Sequence, residues 1–290
     1  METMVAASLT AMAAGVVYVL LQTGLNLFSR SYTINRSNDL ARHTLDRFTR
    51  DLHTSIEPPT LIDANGAAVS LSAVSTNAAG VRFRRYISGP FRIPNNVLAT
   101  ATTVGLTLQA TDPMPRIGYS LVIPASTLNV LPQDVYARIT NVNPPDPQAT
   151  TPTVTLAGPI GSFMSPAAAS GTVVPADSIG YIVQEVAYVV TTPPAPAPQV
   201  PELRLYARAM SVATDGSTAF HTKDNYAVFT PNMTVTPTPF TMALGDRALA
   251  VSFTAQDTRF ANRITSSFTK SLTIGPTGQP QKIPYKSLGL

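Results

Sequence analysis

The sequence predicts an α+β fold: one long N-terminal helix laid on an antiparallel β-sheet that carries β-rich insertions. Three observations predict it. No proline occurs before Pro58, so nothing interrupts a helix up to that point. Within that stretch an apolar run gives way to a run in which apolar residues recur every three or four positions. After Pro59 the pattern changes to short alternating segments cut by Pro, Gly and Asn.

The helix divides at Arg30. Glu2 is the only charge before it, and residues 3–29 hold nothing more polar than Ser, Thr, Gln and Asn. At ~1.5 Å per residue this run is ~40 Å long, enough to cross a bilayer. Ala6, Ala7, Ala11, Ala13, Ala14 and Gly15 make it dense in small residues, which permit close helix–helix approach. From 30 to 57 the character changes. Ala41, Leu45, Phe48, Leu52 and Ile56 form one apolar stripe, expected to lie on the chain's own β domain. Off the stripe, Asp39 with His43, Arg42 with Asp46, Asp46 with Arg50 and Arg47 with Asp51 stand at i,i+4, a spacing that favours helix. Glu57-Pro58-Pro59 is the expected stop. The first half needs lipid or other helices around it; the second needs a domain to lie on.

The expected domains are thus a membrane or assembly helix over 1–29, an amphipathic half over 30–57, and a β-rich globular part over 58–290. Alternation marks Val81–Arg84, Gly105–Leu108, Tyr119–Val122 and Thr153–Leu156 as strands. Gly89-Pro90, Pro94-Asn95-Asn96, Asp112-Pro113, Asn143-Pro144-Pro145 and Gly158-Pro159 read as breaks between them. Residues 105–177 would form a compact inserted set of short strands. Ile182–Val190 is a stronger strand, and Leu203–Arg208 follows a proline-rich connector expected to close a hairpin. Ala248–Thr254 is expected to close the same sheet. The Pro- and Gly-rich, basic tail over 275–290 reads as an extended arm docking on a neighbour or as disorder.

Composition narrows the function. The chain of 290 residues has no Cys, so disulfides and thiolate metal sites are excluded. It is only 12% charged, with a net charge of +4, which does not suggest nucleic acid. Arg82, Arg84, Arg85 and Arg92 interleave with Phe83, Tyr86 and Phe91, a pattern that a strand with one buried face explains better than a nucleic-acid groove. His43, His53 and His221 stand apart, and no H-E-x-x-H, G-x-S-x-G or P-loop spacing occurs. Asp63-Ala64-Asn65-Gly66 reads as a turn, not a calcium loop. Neither an enzyme nor any cofactor or metal is expected. Asn35-Arg36-Ser37 and Asn232-Met233-Thr234 are formal glycosylation sequons.

Two stretches resemble a known family. The first is Glu2-Thr3-Met4-Val5-Ala6-Ala7-Ser8-Leu9 and the apolar run after it. The second is Ala41-Arg42-x-x-Leu45-Asp46-Arg47-x-x-Arg50-Asp51-Leu52. Together they resemble the type IV pilins and type II secretion pseudopilins, the second stretch pointing to the larger minor-pilin and J-type pseudopilin branch. The strand pair at 182–190 and 203–208 is similar to that branch too. The sequence departs from the family at Met1, where the family has an aliphatic residue preceded by a leader, so the mature N-terminus stays open.

The resemblance implies a pilin fold and a structural role: polymerisation through the N-terminal helix into an extracellular helical filament. It implies storage in the inner membrane, and a prepilin peptidase, an assembly ATPase and a membrane platform as partners. It also implies that Glu2 pairs with a neighbour's N-terminal amine, offsetting the cost of a carboxylate in lipid. Ala7, Ala11, Ala14 and Gly15 would lie in the helix–helix contacts. The alternatives are a minor (tip) pilin, a periplasmic pseudopilin of a type II secretion system, or a membrane-tethered binding domain that never polymerises. A cleaved signal peptide fits less well: Ala11-Met12-Ala13 mimics a cleavage site, but no basic residue precedes the run.

Overall fold

The structure, a computed structural model, describes residues 2–109, 112–125, 134–145, 149–164, 167, 171–193, 195–197, 199–207, 226–236, 238–245, 248–257 and 264–273. Among the described residues the one α-helix, α1 (Glu2–His53), comes first, and a short 3-10 turn occupies Ile160–Phe163. The rest is β: β1 (Thr60–Ile62), β2 (Thr76–Ala78), β3 (Gly80–Ile93), β4 (Val97–Leu98), β5 (Thr103–Gly105), β6 (Ser120–Ile123), β7 (Val135–Asn143), β8 (Thr153–Leu156), β9 (Thr172–Val174), β10 (Ser178–Thr191), β11 (Glu202–Ala207), β12 (Ala227–Thr230), β13 (Phe240–Met242), β14 (Ala248–Asp257) and β15 (Ile264–Thr273). The fold class is α+β.

The helix ends at His53, ahead of the expected stop at Glu57. The backbone of the next three residues is claimed by a strand. The Ile56 N–H donates to the Arg84 carbonyl at 3.0 Å, and the Tyr86 N–H donates to the Thr54 carbonyl at 2.9 Å. Ile56 is therefore not part of the helical stripe. It is buried elsewhere, with Tyr86, Val122 and Val183. The four intrahelical ion pairs expected from spacing do not form among the described residues. Asp51 turns to the sheet, where it accepts hydrogen bonds from Arg85 at 3.0 Å and from the Tyr188 hydroxyl. Arg85 also grips the Gln184 amide oxygen at 2.7 and 3.0 Å. The last turn of α1 is thus bolted to β3 and β10. Arg47 lies over the Phe229 ring, 4.4 Å from its centroid.

Among the described residues the main sheet has nine strands, in the order β1-β3-β10-β6-β7-β8-β5, with β11 and β12 branching from β10. Its pairings are antiparallel. β10 is its spine. Its first half pairs with β6, its second half with β11, and its other edge with β3. A near-continuous apolar run suits a strand covered on both faces: Val186, Tyr188 and Val190 enter one core, Ala187 and Val189 another. Gly80, at the start of β3, lies so close to β10 that a Cβ there would meet the Tyr188 carbonyl oxygen at 2.8 Å. Gly89-Pro90 does not break β3. The two residues face Tyr181 alone, between the pairs Ser88–Ile182 and Phe91–Gly180, as an inserted bulge where a residue without N–H is tolerated.

Within 105–177, β6, β7 and β8 extend this same sheet while β9 pairs with β4 in a separate two-stranded sheet, and the segment shares its core with Phe91, Ile93 and Ile182 from outside it. Ala248–Thr254 falls in β14, which belongs not to the β10–β11 sheet but to a second one of order β15-β14-β13-β2. The 275–290 tail lies outside the described residues.

The C-terminal half of α1 is held between the two sheets. Ala41, Leu45, Phe48 and Leu52 are buried there with Phe83 and Tyr188 from the first sheet and Phe240 and Phe253 from the second. Polar residues extend the packed face toward the N-terminus: Thr33, Ser37 and Thr44 are buried, and Thr44 shares a 2.7 Å hydrogen bond with Thr230.

Candidate functional site

Every residue from 3 to 28 of α1 is exposed; Thr33 is the first to be buried against the β domain. The segment is long and apolar enough to cross a membrane by length and composition. Ala7, Ala11 and Ala14 stand on its open surface, and a Cβ built on Gly15 would meet nothing within 4 Å. Glu2 opens the helix, and its side chain lies outside the described residues. The polar groups near the tip satisfy themselves. Ser8 Oγ donates to the Val5 carbonyl at 2.9 Å, and Thr10 Oγ1 donates to the Ala6 carbonyl at 2.8 Å. Hydroxyls bonded back to their own helix suit surroundings without water.

Burying Leu, Val, Phe and Tyr side chains yields ~1.5–3 kcal/mol each. Here Leu9, Val17, Leu21, Leu25 and Phe28 are each more than half exposed. The helix is continuous with the packed half, so it cannot fold back to cover itself. Among the described residues nothing covers it.

The other patches singled out by sequence are occupied by the fold. Arg82, Arg84, Arg85 and Arg92 meet Glu185, Glu57, Asp51 and Asp177 at 3.6, 3.0, 3.0 and 3.6 Å. Phe83, Tyr86 and Phe91 fill the interior behind them. Asp63 Oδ1 accepts from the N–H groups of Asn65 and Ala67, and Gly66 takes a positive φ of 87°, so the segment is a turn. His43 and His53 are exposed on α1, His221 lies outside the described residues, and among those described no cluster could hold a metal. A cleft of about 400 Å³ between the β10–β11 connector and β14 is lined by Gln199, Thr234, Gln256, Thr265 and neighbours, with no charged group among them.

Where α1 meets the sheet, Glu57 and Arg84 pair beside the Tyr136 ring, over which Arg84 sits at 4.2 Å. Burial raises the Glu57 carboxyl above its ordinary value of 4.5; Arg84 opposes this and the charge of Glu185 adds to it. Burial also pushes the Tyr136 hydroxyl up to about 12. A raised carboxyl holds its proton more tightly folded than unfolded. Its contribution to stability therefore falls as pH climbs from 4.5 through the raised value, and returns on acidification. Glu57→Gln keeps an acceptor for Arg84 and removes the titration. Denaturant midpoints of the two chains, measured between about pH 4 and 8, should meet at the acid end and separate toward neutrality, with the glutamine variant higher. Parallel profiles would show that Glu57 carries no such linkage.

No family model matches the chain, and neither a curated protein nor a solved structure matches it significantly.

Proposed function

We propose that the chain is a structural subunit of a type IV pilus-like helical filament, with a pilin fold. The observation that carries this reading is the bare apolar half of α1, continuous with a half that is locked between two sheets. An anchor alone needs a greasy helix of bilayer length. This one runs on, as a single rod, from the apolar tip into the core of a β domain, and it is rich in small residues where a lone anchor needs none. Such a rod transmits the position of the buried tip directly to the domain outside, which is what a filament built from a helical core requires.

On this reading the helix is stored in the inner membrane and then moves into the filament core. Glu2 would pair with a neighbour's terminal amine, and a prepilin peptidase and an assembly ATPase with its platform would act on the chain. The same features fit a minor tip subunit or a pseudopilin. Electron microscopy of surface filaments, with peptide sequencing, tests the proposal. Peptides of this chain recurring along purified filaments support it. A chain that stays in the membrane fraction as a monomer, with no filament containing it, would point to the tethered binding domain instead.

A further inference from the structure

The cleft between the β10–β11 connector and β14 has a frame fixed by main chain. The Met233 N–H donates to the Pro201 carbonyl at 2.8 Å, the Thr234 N–H to the Thr254 carbonyl at 2.9 Å, and the Gln256 N–H to the Asn232 carbonyl at 2.7 Å. Residues 232–234 are thereby tied on one side to the connector and on the other to β14, so the walls stand without a ligand to shape them. The volume of about 400 Å³ falls in the ~300–1,000 Å³ range of small-ligand sites.

The chemistry of the cleft is selective. None of the described residues lining it is charged, so neither an anion nor a cation finds a counter-charge there. None is aromatic, so a nucleobase has nothing to stack on. What remains is amide, hydroxyl and aliphatic. Gln199 spends its NH2 on the Pro193 and Ala197 carbonyls at 2.9 and 3.1 Å. Gln256 is buried and donates from Nε2 to the Met233 carbonyl at 2.8 Å. Backbone thus holds both amides, which leaves their Oε1 atoms to accept. Thr234 Oγ1 is buried and has no hydrogen-bond partner among the described residues, a state that native proteins seldom leave unmet. Val200, Pro201 and Val235 supply apolar contact beside these groups.

Hydroxyls continue past the cleft. Thr265 lines it near the start of β15, and strand alternation puts Ser267, Thr269 and Ser271 on the same face, all of them exposed. Ser252 of β14 joins this row through hydroxyl contacts to Ser267 at 3.4 Å and Thr269 at 3.0 Å, and Thr254 Oγ1 donates to Ser267 Oγ at 2.9 Å.

We propose that this cleft binds an uncharged oligosaccharide, with one sugar ring seated between the connector and β14 and the next rings laid along the hydroxyl row. A neutral sugar matches the lining group by group. Its hydroxyls donate to the two fixed amide oxygens and bond with the Thr234 and Thr265 hydroxyls, while its C–H face meets Val200, Pro201 and Val235. The proposal is independent of the filament reading, since it applies equally to a filament subunit and to a tethered binding domain.

The test is a glycan array probed with the full-length chain in a detergent that has no sugar headgroup. The array carries neutral hexose oligosaccharides beside their sialylated and sulfated counterparts. The parent chain should bind neutral members. Thr265→Val and Thr234→Val each remove one hydroxyl and keep the shape, so each should weaken binding by about tenfold. Urea midpoints separate binding from folding. Thr265 is exposed, and Thr234→Val removes an unmet hydroxyl, so neither variant should unfold earlier than the parent. If Thr234→Val does unfold earlier, Thr265→Val alone decides. No binding to any neutral oligosaccharide, a preference for the charged counterparts, or unchanged binding by the Thr265 variant would overturn the proposal.

Discussion

Phe48→Ala should destabilise the β domain by ~3–5 kcal/mol, the range for a large aromatic deleted from a closed core. The position justifies the upper part of that range. Phe48 has no exposed surface. Its ring centroid lies 5.0 Å from that of Tyr188 and 6.3 Å from that of Phe83 on one sheet. On the other it lies 5.4 Å from Phe240 and 5.7 Å from Phe253. Three of these contacts are edge-on, the favoured aromatic geometry, worth ~0.5–1.5 kcal/mol each beyond burial. The surrounding residues are held by strand ladders on both sides and cannot collapse into the gap. With domain stabilities of ~5–15 kcal/mol, the loss is a large share of the total. The measurement is urea unfolding of a chain truncated before Ser29, which retains every buried residue of α1. A change below about 1 kcal/mol would show that the two sheets are held together without the helix.

The stripe that places Phe48 is legible because helix periodicity repeats over several turns and is not disturbed by what packs on it. The end of the helix is less legible. Nothing in Thr54-Ser55-Ile56 forbids helix; it ends there because Arg84 and Tyr86, distant in sequence, offer strand partners. The charges tell the same story. Asp51 stands at good spacing from Arg47, yet a fixed guanidinium and a buried hydroxyl on the sheet outcompete a solvated pair on one helix. Gly89-Pro90 reads as a turn in one dimension and is a bulge in three. β15 gives almost no signal at all: Thr265, Ser267, Thr269, Lys270 and Ser271 are exposed, and among its described side chains only Leu272 is buried. Its partner β14 is readable for the opposite reason, since Leu249, Val251 and Phe253 alternate into the core. Sheet membership is beyond the reach of pattern alone, because β14 would alternate identically in either sheet. In the candidate site, the small residues and the apolar length can be read directly. Where the domain-facing side of α1 begins emerges only from the structure, since Thr33 and Ser37 are buried without being apolar.

Ala14→Arg should abolish filament assembly while leaving the β domain unchanged. Ala14 is exposed and stands ~28 Å along the helix from Thr33, the first residue buried by the domain. Unfolding of the domain should therefore not register the change. In a packed helical core, however, a guanidinium replaces a methyl where neighbouring backbones approach closely, with no acid between Glu2 and Asp39 to receive it. Arginine also disfavours the bilayer centre by ~2.5–3.5 kcal/mol, so poor insertion is a second route to loss of assembly. Ala14→Leu separates the two effects. Leucine is welcome in lipid, so membrane content should equal that of the parent chain. In a packed helical core it would add bulk where a small residue lets helices approach, and overpacking of this kind costs ~1–3 kcal/mol per contact. Filament yield should then fall from the parent chain to Ala14→Leu and again to Ala14→Arg, with membrane content reduced only in the arginine variant. Wild-type filament yield from both variants would mean that this part of α1 faces open space in the assembled state, and the helical-core reading would have to be abandoned.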